Sequence, residues 1–142
     1  MKANSIDHIG IAVENLESAI PFYRDVLGLE LLGTEEVPSQ KVRVAMFAVG
    51  ESKIELLEPT AEDSPIALAI EKRGPGIHHI AYSVDDAAEA VKALISMDVR
   101  MIDREPREGA GGARIAFVHP GVTGKVLTEL CEHPSGEGSD AE

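Results

Sequence analysis

The sequence predicts an α+β fold of two tandem βαβββ modules, whose strands form a curled mixed β-sheet around a metal-containing cleft with the helices outside. Three observations support this prediction. The segment DHIGIAV, which begins at Asp7, matches HHIAYSV, which begins at His78, at an offset of 71 positions. The segment ELLE, which begins at Glu55, matches ELCE, which begins at Glu129, at an offset of 74. Each copy of the first segment precedes a capping residue and an alanine-containing helix pattern, so the chain is predicted to repeat one structural unit.

The first predicted module begins with a strand in which apolar residues alternate with small or polar ones. A helix follows and stops at Gly28. Pro21 lies within it, so either this helix begins near Ser18 or it bends at the proline. A later helix is predicted to begin at the segment DSP, residues 63–65, which supplies a cap and a proline for the first turn. The predicted strands cover residues 6–13, 29–37, 42–49 and 53–58, and the predicted helices cover residues 16–27 and 65–73.

The second predicted module repeats this order. Asp85 and Asp86 cap a helix that runs to about Met97. The glycine-rich segment 109–112 is predicted to be a flexible loop, either a lid over the cleft or a plain connector. The predicted strands cover residues 77–84, 99–103, 115–119 and 126–132. We therefore predict a single domain of residues 1–133, with modules at about 5–73 and 76–133, followed by a disordered acidic tail at 134–142.

The composition argues against several classes of function. The chain has 142 residues with 13 Lys+Arg and 25 Asp+Glu, and its formal charge of −12 argues against nucleic acid and anionic membrane lipid as partners. No apolar run approaches the ~20 residues that span a bilayer. The lone cysteine, Cys131, cannot form an internal disulfide, and together with the polar N-terminus it predicts a cytoplasmic location.

Alternation along the strands predicts which side chains line the cleft. If the isoleucines of the first strand pack under its helix, His8 faces the cleft. The repeat predicts the equivalent position for His79. Glu55 and Glu129 lie mid-strand beside apolar neighbours, where a carboxylate needs a partner. Two neutral imidazoles and two carboxylates balance the charge of a divalent cation and leave coordination positions open for substrate or water. The sequence therefore predicts a metal site formed by His8, Glu55, His79 and Glu129.

The other histidines and the cysteine have simpler interpretations. A single polar residue on a strand is usually exposed or hydrogen-bonded, and only the repeat-matched placement of four such residues favours a metal site. His78 faces away from the cleft by alternation, His119 lies in a loop or at the pocket rim, and His133 is predicted to be solvated. Cys131 shares the face of Glu129 and is predicted to be a small buried thiol.

Several longer segments resemble known proteins. The opening DHIGIAVENLESAIPFYRDVLGLEL is typical of the vicinal oxygen chelate superfamily. The segments KIELLEP followed by DSPIA, GIHHIAYSVDD, and GGARIAFVHP followed by GKVLTEL resemble one branch of it, the methylmalonyl-CoA epimerases. The resemblance extends from residue 6 to residue 132, and the matching ligand positions are His8, Glu55, His79 and Glu129.

The resemblance implies interconversion of (R)- and (S)-methylmalonyl-CoA, an acyl-CoA substrate, by removal and return of the C2 proton through a metal-stabilised enolate. It implies Glu129 as one acid/base. Some relatives carry a second catalytic glutamate at the position of Val44, so here we expect the symmetric counterpart Glu55 to be the second, with a water or His119 as the alternative. A homodimer and a divalent metal are also implied, cobalt or else zinc, nickel or manganese. Candidate cations for the CoA phosphates are Lys41, Arg43, Arg104, Arg107 and Arg114.

The alternative enzyme is glyoxalase I, or lactoylglutathione lyase, because it resembles the chain in length and uses the same ligand set. Its last strand usually follows an Asp-Pro-Asp-Gly turn, whereas this chain has HPGV at 119–122. A ring-cleaving dioxygenase would use two histidines and one carboxylate on iron, which would leave Glu55 superfluous. A drug-sequestering protein of the same fold would lack the ligand set. The sequence therefore favours a metal-dependent enzyme.

Overall fold

The structure, a computed structural model, describes residues 1–134. Apart from Pro134, the predicted acidic tail therefore lies outside the described residues. In the described part of the chain the strands are β1 (Ser5–Ala12), β2 (Glu30–Val37), β3 (Val42–Val49), β4 (Ser52–Pro59), β5 (Gly76–Ser83), β6 (Arg107–Glu108), β7 (Arg114–Val118) and β8 (Thr128–Glu132), and the α-helices are α1 (Leu16–Pro21), α2 (Pro65–Arg73) and α3 (Ala87–Ser96). None of the helices described combines the length and the apolar character that crossing a bilayer requires.

Two compact units make up the described chain. The first unit is residues 8–78, and the second unit is residues 79–134 together with residues 1–7. The strand order is β2-β3-β4-β1 in the first unit and β5-β8-β7-β6 in the second. In both units the first strand of the module pairs in parallel with the last, and the other neighbours are antiparallel. Each unit therefore has the predicted βαβββ order and a mixed sheet.

The core of the first unit lies between α1 and the sheet. Leu16 on α1 packs with Phe47 and Leu56 of the strands, and all three side chains are buried. Ile11 and Val13 flank this core, as predicted for the helix-facing side of the first strand. Alternation then turns the neighbouring residues of β1 to the opposite face of the sheet.

The first helix changes its geometry at a proline. It begins after Asn15, whose side-chain oxygen accepts a hydrogen bond from the Ser18 N–H over 2.9 Å. The structure is therefore closer to the second predicted alternative, a helix that bends at the proline, because α1 begins before Ser18 and the helical geometry changes at Pro21. A π-helical turn over Phe22–Val26 follows, in which the Leu27 N–H donates to the Phe22 carbonyl over 2.9 Å. Gly28, with a φ of 72°, then ends the segment.

The predicted caps of α2 and α3 are confirmed at Ser64 and Asp86, whereas Asp85 instead accepts a hydrogen bond from the Asn4 side chain over 2.9 Å. The Ser64 hydroxyl accepts hydrogen bonds from the N–H groups of Ile66 and Ala67, over 3.0 and 3.2 Å, at the start of α2. The Asp86 carboxylate accepts from the Glu89 N–H over 3.0 Å at the start of α3. These bonds satisfy backbone donors that the first turn of a helix leaves without an intrahelical partner.

The strand predicted at residues 99–103 is wrong. Instead of a regular strand, this segment has an isolated bridge between Met101 and Val118 and a few backbone hydrogen bonds to residues 117 and 119. The strand that pairs regularly with β7 is β6. The apolar residues Val99 and Met101 also pack in the core beneath α3. The following glycine-rich segment contains a short 3₁₀ turn in which Gly111 has a φ of 68°.

Candidate metal centre

A buried histidine–glutamate pair lies on the sheet of the first unit. His8 is on β1 and Glu55 is on β4, and their Nε2 and Oε1 atoms are 3.3 Å apart. Both residues are buried. In the parallel register Gly10 lies directly opposite Glu55, so His8, two residues from Gly10, faces the same side as the carboxylate.

The second unit carries the equivalent pair. His79 on β5 and Glu129 on β8 have their Nε2 and Oε1 atoms 3.0 Å apart, and both are buried. Ala81 lies opposite Glu129, as Gly10 lies opposite Glu55 in the first unit. The offsets of 71 and 74 positions in the sequence therefore correspond to equivalent register positions in two parallel strand pairs.

The donor chemistry of these pairs fits a divalent metal ion. Each pair offers an imidazole nitrogen and a carboxylate oxygen, which are ordinary ligands for zinc, cobalt, nickel or manganese. A carboxylate that is more than nine-tenths buried is costly unless it is paired, and each of these is in contact with an imidazole. Within residues 1–134, no buried side-chain nitrogen or oxygen lacks a hydrogen-bond partner.

Aromatic packing adds a residue that the sequence analysis missed. Phe117 on β7 lies opposite Glu129, and its ring meets the His79 ring edge to face at a centroid distance of 5.7 Å. The repeat contained a signal for this position, because Met46 on β3 lies opposite Glu55 in the first unit. Phe117 and Met46 are separated by the same 71 positions as the two histidines.

Val44 occupies the position at which the resemblance implies a second catalytic glutamate in some relatives. This residue is buried and lies two positions from Met46 on β3, so it shares the face of Glu55. Its aliphatic side chain can neither accept nor donate a proton.

The remaining histidines differ in their surroundings. His119 Nδ1 accepts a hydrogen bond from the Gly121 N–H over 2.9 Å at the end of β7, consistent with a loop position. The expectation that His133 is solvated is wrong: its side chain is 25% exposed, and Nε2 lies 2.6 Å from Oδ1 of the buried Asp7. The sequence analysis missed this contact because the two residues are 126 positions apart. Cys131 is buried as predicted.

Two of the cations predicted to serve the CoA phosphates are paired with acidic side chains. Lys41 forms an ion pair with Asp63, and their hydrogen bond lowers the pKa of the Asp63 carboxyl from its usual value. Arg43 Nη1 lies 3.6 Å from Glu58 Oε1.

The described geometry agrees with that of known proteins. Residues 7–117 match the family model described as the Glyoxalase/Bleomycin resistance protein/Dioxygenase superfamily. The chain belongs to this superfamily. Its fold is also that of solved superfamily members: a methylmalonyl-CoA epimerase in complex with methylmalonyl-CoA and NH4+ superposes with a TM-score of 0.89 at 38% identity, over 94% of this chain and 97% of that one. The predicted vicinal oxygen chelate fold class is therefore confirmed.

Two curated relatives match most of the chain. The ethylmalonyl-CoA/methylmalonyl-CoA epimerase of Cereibacter sphaeroides is 39% identical over 127 residues, which cover 88% of this chain and 95% of that protein. The uncharacterized protein YqjC of Bacillus subtilis is 50% identical over 134 residues, covering 94% and 95% of the two chains. The predicted resemblance to the epimerase branch is confirmed, and the chain is an enzyme of this branch.

Proposed function

We propose that the protein interconverts (R)- and (S)-methylmalonyl-CoA and that His8, Glu55, His79 and Glu129 together hold one divalent metal ion. The observation that carries this proposal is the pair of buried histidine–glutamate contacts, 3.3 Å in the first unit and 3.0 Å in the second, at repeat-equivalent positions. The identity to epimerases of known substrate supports the choice of acyl-CoA. The resemblance also supports a homodimer.

The proposed metal fits the charge of its ligands. Two carboxylates neutralise a divalent ion, and two imidazoles add neutral donors, so the buried centre carries no net charge. When bound, the metal would act as a Lewis acid that polarises the thioester carbonyl and so lowers the pKa of the neighbouring C2 proton. Cobalt is the proposed ion, with zinc, nickel or manganese as alternatives.

Epimerisation needs a proton acceptor on one face of C2 and a proton donor on the other. We assign these functions to Glu129 and Glu55. Glu129 contacts His79 through Oε1 over 3.0 Å, and we assign proton transfer on one face of C2 to its carboxylate. Glu55 occupies the same place in the first unit, and Val44 on its face has no ionisable group. The proton removed by one glutamate leaves an enolate of the substrate, and the other glutamate returns a proton to the opposite face.

The decisive experiment follows the C2 proton of methylmalonyl-CoA by NMR in deuterated water with metal-loaded protein. We expect loss of the C2 proton signal together with interconversion of the two stereoisomers. No exchange at C2, with turnover of the methylglyoxal–glutathione adduct instead, would replace this proposal with the glyoxalase reaction.

A second experiment tests the two glutamates separately. Glu55→Gln keeps a ligand oxygen and removes the ionisable group, so this variant should retain metal, lose epimerisation and still exchange the C2 proton of one stereoisomer through Glu129. Glu129→Gln should exchange only the other stereoisomer. Near-wild-type epimerisation by Glu55→Gln would restrict Glu55 to metal binding and require a different second acid/base.

A further inference from the structure

An arginine lies on the same face of the second unit as the candidate ligands. β6 pairs with β7 so that Arg107 is directly opposite Ile115, and Ile115 is directly opposite Cys131 on β8. Residues directly opposite each other across a sheet share a face, and so do residues two apart along one strand. Arg107 therefore shares the face of Phe117, which lies two residues from Ile115.

Contacts connect this arginine to the buried histidine–glutamate pair. The Arg107 guanidinium carbon lies over the Phe117 ring at 5.4 Å from its centroid, within the range of a cation–π interaction. The Phe117 ring in turn contacts the His79 ring edge to face, at a centroid distance of 5.7 Å. His79 Nε2 is 3.0 Å from Glu129 Oε1. One aromatic ring thus separates the guanidinium from a candidate metal ligand.

An aspartate fixes the arginine in this position. Asp103 Oδ2 accepts a hydrogen bond from the Phe117 N–H over 2.9 Å, and Asp103 Oδ1 lies 3.2 Å from Arg107 Nε. The aspartate side chain is mostly buried, whereas that of Arg107 is 43% exposed. A guanidinium has five N–H donors in a planar fork, and the Nε contact uses only one of them. The cation is therefore oriented in advance while its terminal nitrogens remain able to bind an anion.

The charge of the protein favours a local cation beside the site of an anionic substrate. The chain carries a formal charge of −12, which repels the carboxylate and phosphates of an acyl-CoA. A fixed guanidinium beside the site offsets this repulsion locally and binds two oxygens of a carboxylate or phosphate at once.

We propose that Arg107 is a substrate-binding residue that pairs with an anionic group of the acyl-CoA thioester, an inference that rests on the proposed function. The shared chemistry is an oxyanion, which the substrate offers both in the free carboxylate of its acyl group and in its phosphates. Asp103 and Phe117 act as positioning residues for this guanidinium. We favour the acyl carboxylate as the anionic group that Arg107 binds, because only the Phe117 ring lies between Arg107 and His79, a proposed metal ligand.

The first test compares Arg107→Gln and Arg107→Lys with wild type in steady-state epimerisation. We expect Arg107→Gln to raise KM for methylmalonyl-CoA by roughly tenfold to a hundredfold while kcat changes little, since the contact is made equally in ground and transition states. Arg107→Lys should recover part of the loss. The matched control Lys92→Gln removes one positive charge from an exposed site on α3 and should leave KM unchanged. An unchanged KM in Arg107→Gln overturns the proposal.

The second test separates the two sources of the anion. Methylmalonyl-pantetheine keeps the acyl carboxylate and lacks the CoA phosphates. If Arg107 binds the carboxylate, Arg107→Gln raises KM by the same factor for this truncated substrate and for methylmalonyl-CoA. If it binds a phosphate, the effect appears with methylmalonyl-CoA alone.

A binding measurement distinguishes failure of this inference from failure of the proposed function. Calorimetric titration with malonyl-CoA reports affinity without turnover. Weaker binding to Arg107→Gln than to wild type, by tenfold or more, supports the inference even if wild type catalyses no epimerisation. Equal affinity of the two proteins overturns it even if wild type is an active epimerase.

Discussion

Glu58 accepts a hydrogen bond from the backbone N–H of Leu16 over 3.0 Å and so joins the end of β4 to the first turn of α1. The second unit repeats this bond between Glu132 and the N–H of Ala87, over 2.8 Å. The matching segments ELLE and ELCE therefore serve two purposes in each unit. Their first glutamate contacts the candidate ligand histidine, and their last glutamate caps the helix that covers the opposite face of the sheet.

We predict that both capping glutamates contribute to stability. Glu58→Ala and Glu132→Ala should each lower the free energy of unfolding by about 0.5–2 kcal/mol, because each removes the acceptor of a backbone N–H in the first turn of a helix. The negative charge of the carboxylate is also favoured there by the helix dipole. Urea denaturation followed by circular dichroism measures the change. Glu51→Ala, in the exposed turn between β3 and β4, is the control and should change it by less than about 0.5 kcal/mol. Equal stability of all three variants would contradict the capping function.

We predict that His79→Ala loses metal and activity together. Its imidazole is buried against Glu129. We expect the bound metal to fall well below one ion per chain and the activity to fall by at least about a hundredfold. This loss exceeds the one expected for a residue that only hydrogen-bonds to a metal ligand. Elemental analysis and the epimerase assay measure the two effects. His78→Ala removes the adjacent imidazole on the other side of the strand and should retain both. Full metal content in His79→Ala would exclude this histidine as a ligand.

Removal of the metal should lower stability as well as activity. A ligand that binds only the folded protein stabilises it by about 2.7 kcal/mol at a concentration of 100 Kd. Dialysis against a chelator should therefore abolish epimerisation and lower Tm, and cobalt should restore both, with zinc, nickel and manganese compared in parallel. A Tm that is the same before and after chelation, in a protein shown to have lost its metal, would argue against a buried metal site.

The contact between Asp7 and His133 should stabilise the second unit. His133→Ala removes a 2.6 Å contact to a buried carboxylate and should lower the free energy of unfolding by about 1–3 kcal/mol. His119→Ala removes an imidazole that accepts a bond from an exposed backbone N–H, so we expect a smaller loss. Thermal and urea denaturation of the two variants test the difference. A larger loss in His119→Ala would reverse this interpretation.

Local patterns and the internal repeat were sufficient to predict much of the fold. Strand alternation identified the face of His8 and His79, and capping residues such as Ser64 and Asp86 located helix starts, because these signals act over a few positions. The repeat predicted the glutamates as well, since equivalent positions in two modules occupy the same register. The strand expected at 99–103 was wrong because this segment forms only one bridge and a few backbone hydrogen bonds to β7, and alternation alone does not determine how far strand pairing extends.

The sequence by itself determined the βαβββ repeat, the caps and the histidine–glutamate pair of each module, because all of these depend on periodicity and short spacing. Only the tertiary structure decided the contacts of Arg107 with Phe117 and of Asp7 with His133. Asp7 and His133 are 126 positions apart, and nothing in the composition of either segment identifies the other. Such pairs form only when strand pairing and burial bring distant segments together. They can therefore be identified from the tertiary structure but not from the sequence.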